Sequence, residues 1–173
     1  MNFGGSRLLS AQFSTTDILV ASTIGTTETA FATQFQFPAS YWTANKLVEV
    51  RAVFGWIATA TVPTTLPKLR LRKAGPTDYY LYTGVAQAQA AFATEQGFMC
   101  SWMLQGTGAP GAAVNLETGY LGEGFGGFIR NTIAQGVAVD TTAALTLALT
   151  LTFGAATAGN QLALRQLVLL EHG

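Results

Sequence analysis

The side chains able to do chemistry are few and far apart in this sequence. His172 is the only histidine and stands next to the C-terminus. A nucleophilic triad needs a base held between a nucleophile and an orienting carboxylate, and a lone terminal histidine reads as isolated. Cys100 is the only cysteine, so no internal disulfide forms. It shares its strand parity with Phe98, Trp102 and Leu104, which makes it a small core residue. Metal sites need clustered His, Cys, Asp or Glu, and the nine acidic residues are spread along the chain. Gly122, Gly124 and Gly127 spell G-x-G-x-x-G, but no helical period follows them. A dinucleotide turn needs a helix opening at the glycines, so a glycine-rich strand fits better. No catalytic residue, metal ligand or cofactor site is expected, and the chain is expected not to be an enzyme. A carboxylate pair assembled by the fold, as glycosidases use, remains a minor alternative.

One charged stretch does stand out. Lys68, Arg70, Arg72 and Lys73 surround Leu69 and Leu71, with the leucines inward and Lys68, Arg70 and Arg72 outward. Such a strip can be a solvated strand face whose cations protect an edge. It can also pair with a partner's carboxylates, or bind phosphate.

The elements that would position these groups read as strands. Leu145, Leu147, Leu149, Leu151 and Phe153 alternate with Thr146, Ala148, Thr150 and Thr152, and a period of two puts the large residues on one face. After Gly154 and Gly159-Asn160, Gln161–Leu170 continues with Leu162, Leu164, Val168 and Leu170 on one parity. The pair predicts an antiparallel hairpin, although Gln161–Leu170 also has helical propensity. Upstream, Asp17–Ile24, Glu28–Phe37, Leu47–Ala58, Lys68–Lys73, Tyr79–Gly84 and Gly97–Gln105 predict further strands. Phe31, Phe35 and Phe37 share a core face, as do Val48, Val50, Ala52, Phe54 and Trp56. Pro63 and Pro67 argue against a central strand over Thr59–Pro67. Val85–Gln96 reads as a short helix or a loop. Tyr41 and Trp42, in the loop after Pro38, either cap the core or serve as contact anchors. Met1–Ser14 has no clear period. It reads either as a frayed terminus or as an arm that orders against a neighbour, with Arg7, Leu8 and Leu9 as its anchors.

The 173 residues suit one domain, residues 15–173, behind an N-terminal arm, residues 1–14. Nine basic and nine acidic residues cancel, and only 10% of residues are charged, against roughly 25% in an average soluble domain. The shortage predicts a surface covered by partners. It argues against a nucleic-acid partner, which needs a basic stripe. No run approaches the roughly 18 apolar residues of a membrane helix. About eight short strands with almost no helix predict an all-β, jelly-roll-like antiparallel β-sandwich.

Several of these stretches resemble a known family. Phe35–Ala39, Lys46–Val50, Leu66–Gly75, Asp140–Leu145 and Gly159–Glu171 are similar to successive motifs of small jelly-roll virion proteins of tailed bacteriophages. The resemblance runs from about Thr26 to Glu171 and is most specific in the last block; Tyr79–Arg130 matches poorly. It implies a capsid decoration, or cement, protein made in the host cytoplasm and carried on the capsid surface. Its implied partners are copies of itself, as a homotrimer, and the major capsid protein. Candidate contact residues are then Arg7, Leu8, Leu9, Tyr41, Trp42, Arg70 and Arg72. The alternatives are another capsid subunit, or a tail, fibre or baseplate component whose sandwich binds host glycans through Tyr41, Trp42, Tyr79 and Tyr80.

Overall fold

The computed structural model describes residues 5–43, 46–58, 64–73, 78–83, 87–88, 92–106, 113–123, 132–133 and 137–173. Among them the strands are β1 (Arg7–Phe13), β2 (Ile18–Val20), β3 (Thr29–Phe37), β4 (Leu47–Ala58), β5 (Thr64–Lys73), β6 (Asp78–Thr83) and β7 (Gln87–Ala88). They continue as β8 (Phe92–Gly106), β9 (Ala113–Glu123), β10 (Thr132–Ile133), β11 (Val137–Asp140), β12 (Leu145–Phe153) and β13 (Gln161–His172). A single helical turn, α1 (Ala21–Ile24), follows β2. It replaces the second half of the strand expected over Asp17–Ile24.

The first sheet runs β1-β13-β4-β8-β9-β11, with β2 on the remaining edge length of β13; the second runs β10-β6-β5-β12-β3, with β7 beside β5. All pairings are antiparallel. β3 and β12 are neighbours in the second sheet, and β4 and β13, which follow them in the chain, are neighbours in the first. The two strand pairs therefore cross the sandwich side by side, which is the wrapping of a jelly roll. The fold is an all-β, jelly-roll-like antiparallel β-sandwich.

The core fills the space between the sheets. β4 contributes Val48, Val50, Ala52, Phe54 and Trp56, and β12 contributes Leu145, Leu147, Leu149, Leu151 and Phe153. Phe31 and Phe37 of β3, Leu69 and Leu71 of β5, Cys100, Trp102 and Leu104 of β8, and four leucines of β13 add to it. Each large side chain taken out of water contributes about 1.5–3 kcal/mol, and Leu147→Ala would cost about 2–5 kcal/mol through the cavity it leaves.

Four expectations are corrected here. β12 and β13 are not a hairpin, because β12 pairs with β3 and β5 while β13 pairs with β1, β2 and β4. Both strands carry a full apolar face, and residues 154–160 are long enough to span the roughly 10 Å between stacked sheets. Within β13 the inward leucines are Leu162, Leu164, Leu167 and Leu169. The ladder to β4 steps from Leu164–Phe54 to Gln166–Val53, so Arg165 is an extra residue. A bulge of this kind reverses the parity of all that follows, and it turns Val168 and Leu170 outward. The N-terminal segment is a strand from Arg7 onward, paired along β13, because β4 occupies only one edge of that long strand. Finally, Pro67 lies within β5, opposite Leu151 of β12. On the other side of β5 the ladders to β6 and β7 include neither Leu66 nor Pro67, so the missing N–H interrupts no pairing there.

Other expectations fall partly outside the described residues. Of Val85–Gln96, residues 87–88 and 92–96 are strand, and residues 85–86 and 89–91 lie outside. Of the glycine triplet, Gly122 sits in β9 opposite Cys100, whereas Gly124 and Gly127 lie outside. Pro63 also lies outside.

Candidate functional site

The residues singled out from sequence do not converge on one place. At one end of the sandwich Glu171, on β13, gathers three of the early polar groups. Arg7 Nη2 donates to its Oε2 at 2.8 Å, the Tyr41 hydroxyl donates to the same oxygen at 3.0 Å, and Lys46 Nζ binds Oε1. Burial raises the Glu171 carboxyl, but the Lys46 and Tyr41 hydrogen bonds and the nearby cations outweigh it and hold it low. Burial, with the hydrogen bond to Glu171, pushes the Tyr41 phenol well above its usual range. Trp42 is 0% exposed and packs on Phe37. It is a core residue, which corrects its place among the contact candidates. Its neighbour Tyr41 is half-buried against the same ring, because the chain after Pro38 folds back over the end of the core. Leu9 is half-buried against the core, and Leu8 is exposed.

Arg70 and Arg72 lie on the outer face of the second sheet. Arg70 Nη1 reaches Glu28 Oε1 at 3.4 Å and Asp78 Oδ2 at 3.0 Å, while Arg72 Nε reaches Asp78 Oδ1 at 2.8 Å. Lys68 holds Glu28 Oε2 at 2.6 Å, and the Thr150 hydroxyl donates to Glu28 Oε1 at 2.8 Å. Arg70 is thus buried although its strand phase points outward, which corrects its reading as an exposed contact. Its charge is spent inside the chain. Arg72 remains half-exposed, on the rim of this lattice.

The lattice also tests the carboxylate-pair reading. A glycosidase acid must stay protonated near neutral pH, which requires a raised pKa. Burial raises Glu28, but hydrogen bonds from Lys68 and Thr150 and the cation charges bring it below its usual range. The Arg72 hydrogen bond lowers Asp78. Both are held as carboxylates, so neither is a proton donor at neutral pH.

A third polar cluster lies on the outer face of the first sheet. His172 Nδ1 is 2.9 Å from Ser6 Oγ, and its Nε2 is 3.2 Å from Glu49 Oε2. Serine, histidine and carboxylate therefore stand in the order of a nucleophilic relay. Sequence reading missed this group because Ser6, Glu49 and His172 meet only where β13 lies beside β4. Glu49 is heavily engaged, however: Arg51 Nε and Nη2 donate to it at 2.6 and 3.0 Å, and the Ser101 hydroxyl donates at 2.9 Å. The Arg51 hydrogen bond is the main cause of its lowered pKa, so its charge is shared rather than reserved for the imidazole.

The surroundings of this cluster are apolar. The bulge at Arg165 turns Val168 and Leu170 outward beside Arg51 and Glu49. Met103 continues the Glu49 row on β8, Ser101 continues the Arg51 row and Met99 lies opposite Val53, while Leu8 and Phe13 flank them on β1. Phe13 is 74% exposed, Leu8 58% and Met99 49%. By contrast, the outer face of the second sheet carries Gln34, Gln36, Thr146, Arg72 and Asp78 along its registers. Large exposed apolar patches are, in general, where proteins associate.

One further feature is structural. Asp17, in the cleft between β1–β2 and β3, uses its two oxygens to accept the N–H groups of Ala32 and Thr33 at 2.9 and 2.6 Å. Among the described residues no group of three His, Cys, Asp or Glu side chains is set to hold a metal ion, and no helix is long and apolar enough to cross a membrane. The aromatic loop cleft expected of a glycan binder is not assembled, since Trp42 is buried and Tyr79 packs against the core; only Tyr80 is exposed.

No family model and no curated protein matches the chain. Solved structures do. An alginate lyase in complex with an alginate trisaccharide shares 7% identity at a TM-score of 0.38, over 96% of this chain and 98% of that one. A glycosyl hydrolase family protein from Mycobacterium fortuitum shares 9% at 0.32, over 82% of this chain and 67% of that one. A β-1,3-glucanase from Mycobacterium marinum shares 6% at 0.32, over 82% of this chain and 66% of that one. The likeness assigns no activity and no substrate. The expectation that the chain is not an enzyme gains no support from these structures and is not retained.

Proposed function

We propose that the chain is a structural protein of a tailed-phage virion, a decoration protein that binds copies of itself and the major capsid protein. The observation that supports it is the apolar outer face of the first sheet, on a chain in which only 10% of residues are charged. A soluble domain that stays alone usually covers such a face with charge. The sequence motifs from Phe35 to Glu171 support the virion context. The mechanism is binding: contacts repeated by particle symmetry clamp neighbouring capsomers together and oppose internal pressure.

Co-sedimentation with empty capsids tests the reading. Near-stoichiometric pelleting at physiological salt is expected, together with a raised disassembly temperature of the decorated particle. A chain that stays in the supernatant at micromolar concentration would remove it. Because β1 belongs to the sheet, trimming residues 1–14 would damage the fold. Leu8→Lys and Arg7→Ala probe that end of the sheet instead. If the first strand meets the capsid, these variants weaken pelleting while leaving the far-ultraviolet circular dichroism unchanged.

A further inference from the structure

We infer that the outer face of the first sheet is a two-fold interface between two copies of this chain, with β4 stacked antiparallel on the copy's β4. The inference deepens the proposed assembly function by naming the surface and the partner. It rests on how charge and apolar residues are arranged on that face.

β4 is the central strand of the five from β1 to β9. It places Glu49 and Arg51 on the outer side, two residues apart, which is about 7 Å at strand rise. The row through Arg51 continues into Val168, and the row through Glu49 continues into Leu170. A two-fold axis running across the strands, midway between these rows, superposes each row on the other in the copy. Arg51 then meets the copy's Glu49, and Val168 meets the copy's Leu170. Each contact is repeated in reverse, as an isologous interface requires. No like charges are brought together at the centre, and the whole chain has no net charge to oppose its own approach. Stacked sheets separated by about 10 Å interdigitate side chains of this size.

The area is sufficient but small. Five strands at about 4.8 Å spacing and six or seven residues of length give about 500 Å² on each copy. The total of about 1,000 Å² reaches the floor for a specific interface and lies in the range of weak, transient contacts. Affinity comes from the apolar rows, while the four-charge centre sets the register and adds little net energy once desolvated. The dimer should therefore form in the micromolar range. Pairing by twos also departs from the trimer that the family resemblance implies.

The test is sedimentation velocity of the full chain without capsids, from about 1 to 200 µM. The expected result is a monomer–dimer equilibrium. Val168→Lys should raise the dissociation constant at least tenfold, and so should Met99→Lys, which is already half-exposed and leaves the fold least disturbed. Thr146→Lys, on the outer face of the second sheet, should leave it unchanged. A wild-type chain that is monomeric throughout overturns the inference, as does a trimer. So does a dimer that both face variants, folded by near-ultraviolet circular dichroism, leave intact. Capsid pelleting is measured separately, so a wild-type chain that forms no dimer but still pellets would sink this interface and spare the decoration reading.

Discussion

Arg70 shows how much of a residue's role lies outside its strand phase. Its parity points outward, and that much is readable from Leu69 and Leu71 on either side. Its burial is not, because the groups that cover and neutralise it come from elsewhere in the chain: Glu28 is 42 residues away and Asp78 is 8. Breaking a buried ion pair leaves an uncompensated charge and costs about 3–5 kcal/mol. Glu28 and Asp78 are each about one-fifth exposed, so solvent screens part of that. Arg70→Ala should therefore lower stability by about 2–4 kcal/mol, read as a drop in the urea midpoint. A change below about 0.5 kcal/mol would mean that the lattice is inert surface charge. The Ser6–His172–Glu49 group teaches the same lesson. Its three members sit at residues 6, 49 and 172, and no spacing rule connects them.

At the scale of the element, the bulge in β13 decides what the first sheet presents to its surroundings. Strict alternation from Leu162 would leave Leu167 and Leu169 on the outside and bury Val168 and Leu170. The extra residue, Arg165, reverses that assignment. Its backbone carbonyl accepts the Ser14 N–H at 3.0 Å, and its guanidinium reaches Glu95 at 2.5 and 2.8 Å and the Thr15 carbonyl at 2.9 Å. Glu95 passes directly over Gly55 to get there, where a Cβ would stand 1.7 Å from its Oε1. Deleting Arg165 should leave the core side of β13 in place, because Gln166 then follows Leu164 opposite Val53 in regular alternation and Leu167 and Leu169 still face inward. Arg165→Ala keeps the residue count and should cost no more than about 1 kcal/mol, since the bridge it loses is partly exposed. Expression and circular dichroism of the two variants check both outcomes. A deletion variant that fails to fold would show that the bulge itself, with its backbone contact to Ser14, is required.

For the molecule as a whole, the two sheets keep their carboxylates ionised in the same way. Glu28, Glu49, Asp78 and Glu171 all have folded pKa values below their ordinary ones. Lys73, helped by Thr142, holds Asp140 down at about 2. A lowered folded pKa means that the unfolded chain takes up protons first as pH falls. The contribution of these groups is complete above the ordinary carboxylate range and is lost as pH drops through it toward the folded values. The urea midpoint should be level from pH 7 to about 5 and decline steeply below about pH 4. A midpoint that rises on acidification would mean that these pairings destabilise the native state. At this scale the period-two pattern was enough to establish an all-β sandwich and most of its core, because each strand's apolar parity is a local property of adjacent residues. Which sheet a strand joins is not local. The pattern of β12 and β13 suits a hairpin as well as a crossover, and only the packing of both apolar faces into one core sends them to opposite sheets. The apolar outer face and the three ion-pair clusters also arise only in three dimensions. They depend on a one-residue bulge and on strand neighbours up to 166 positions apart, and a sequence pattern carries parity but neither register nor neighbours.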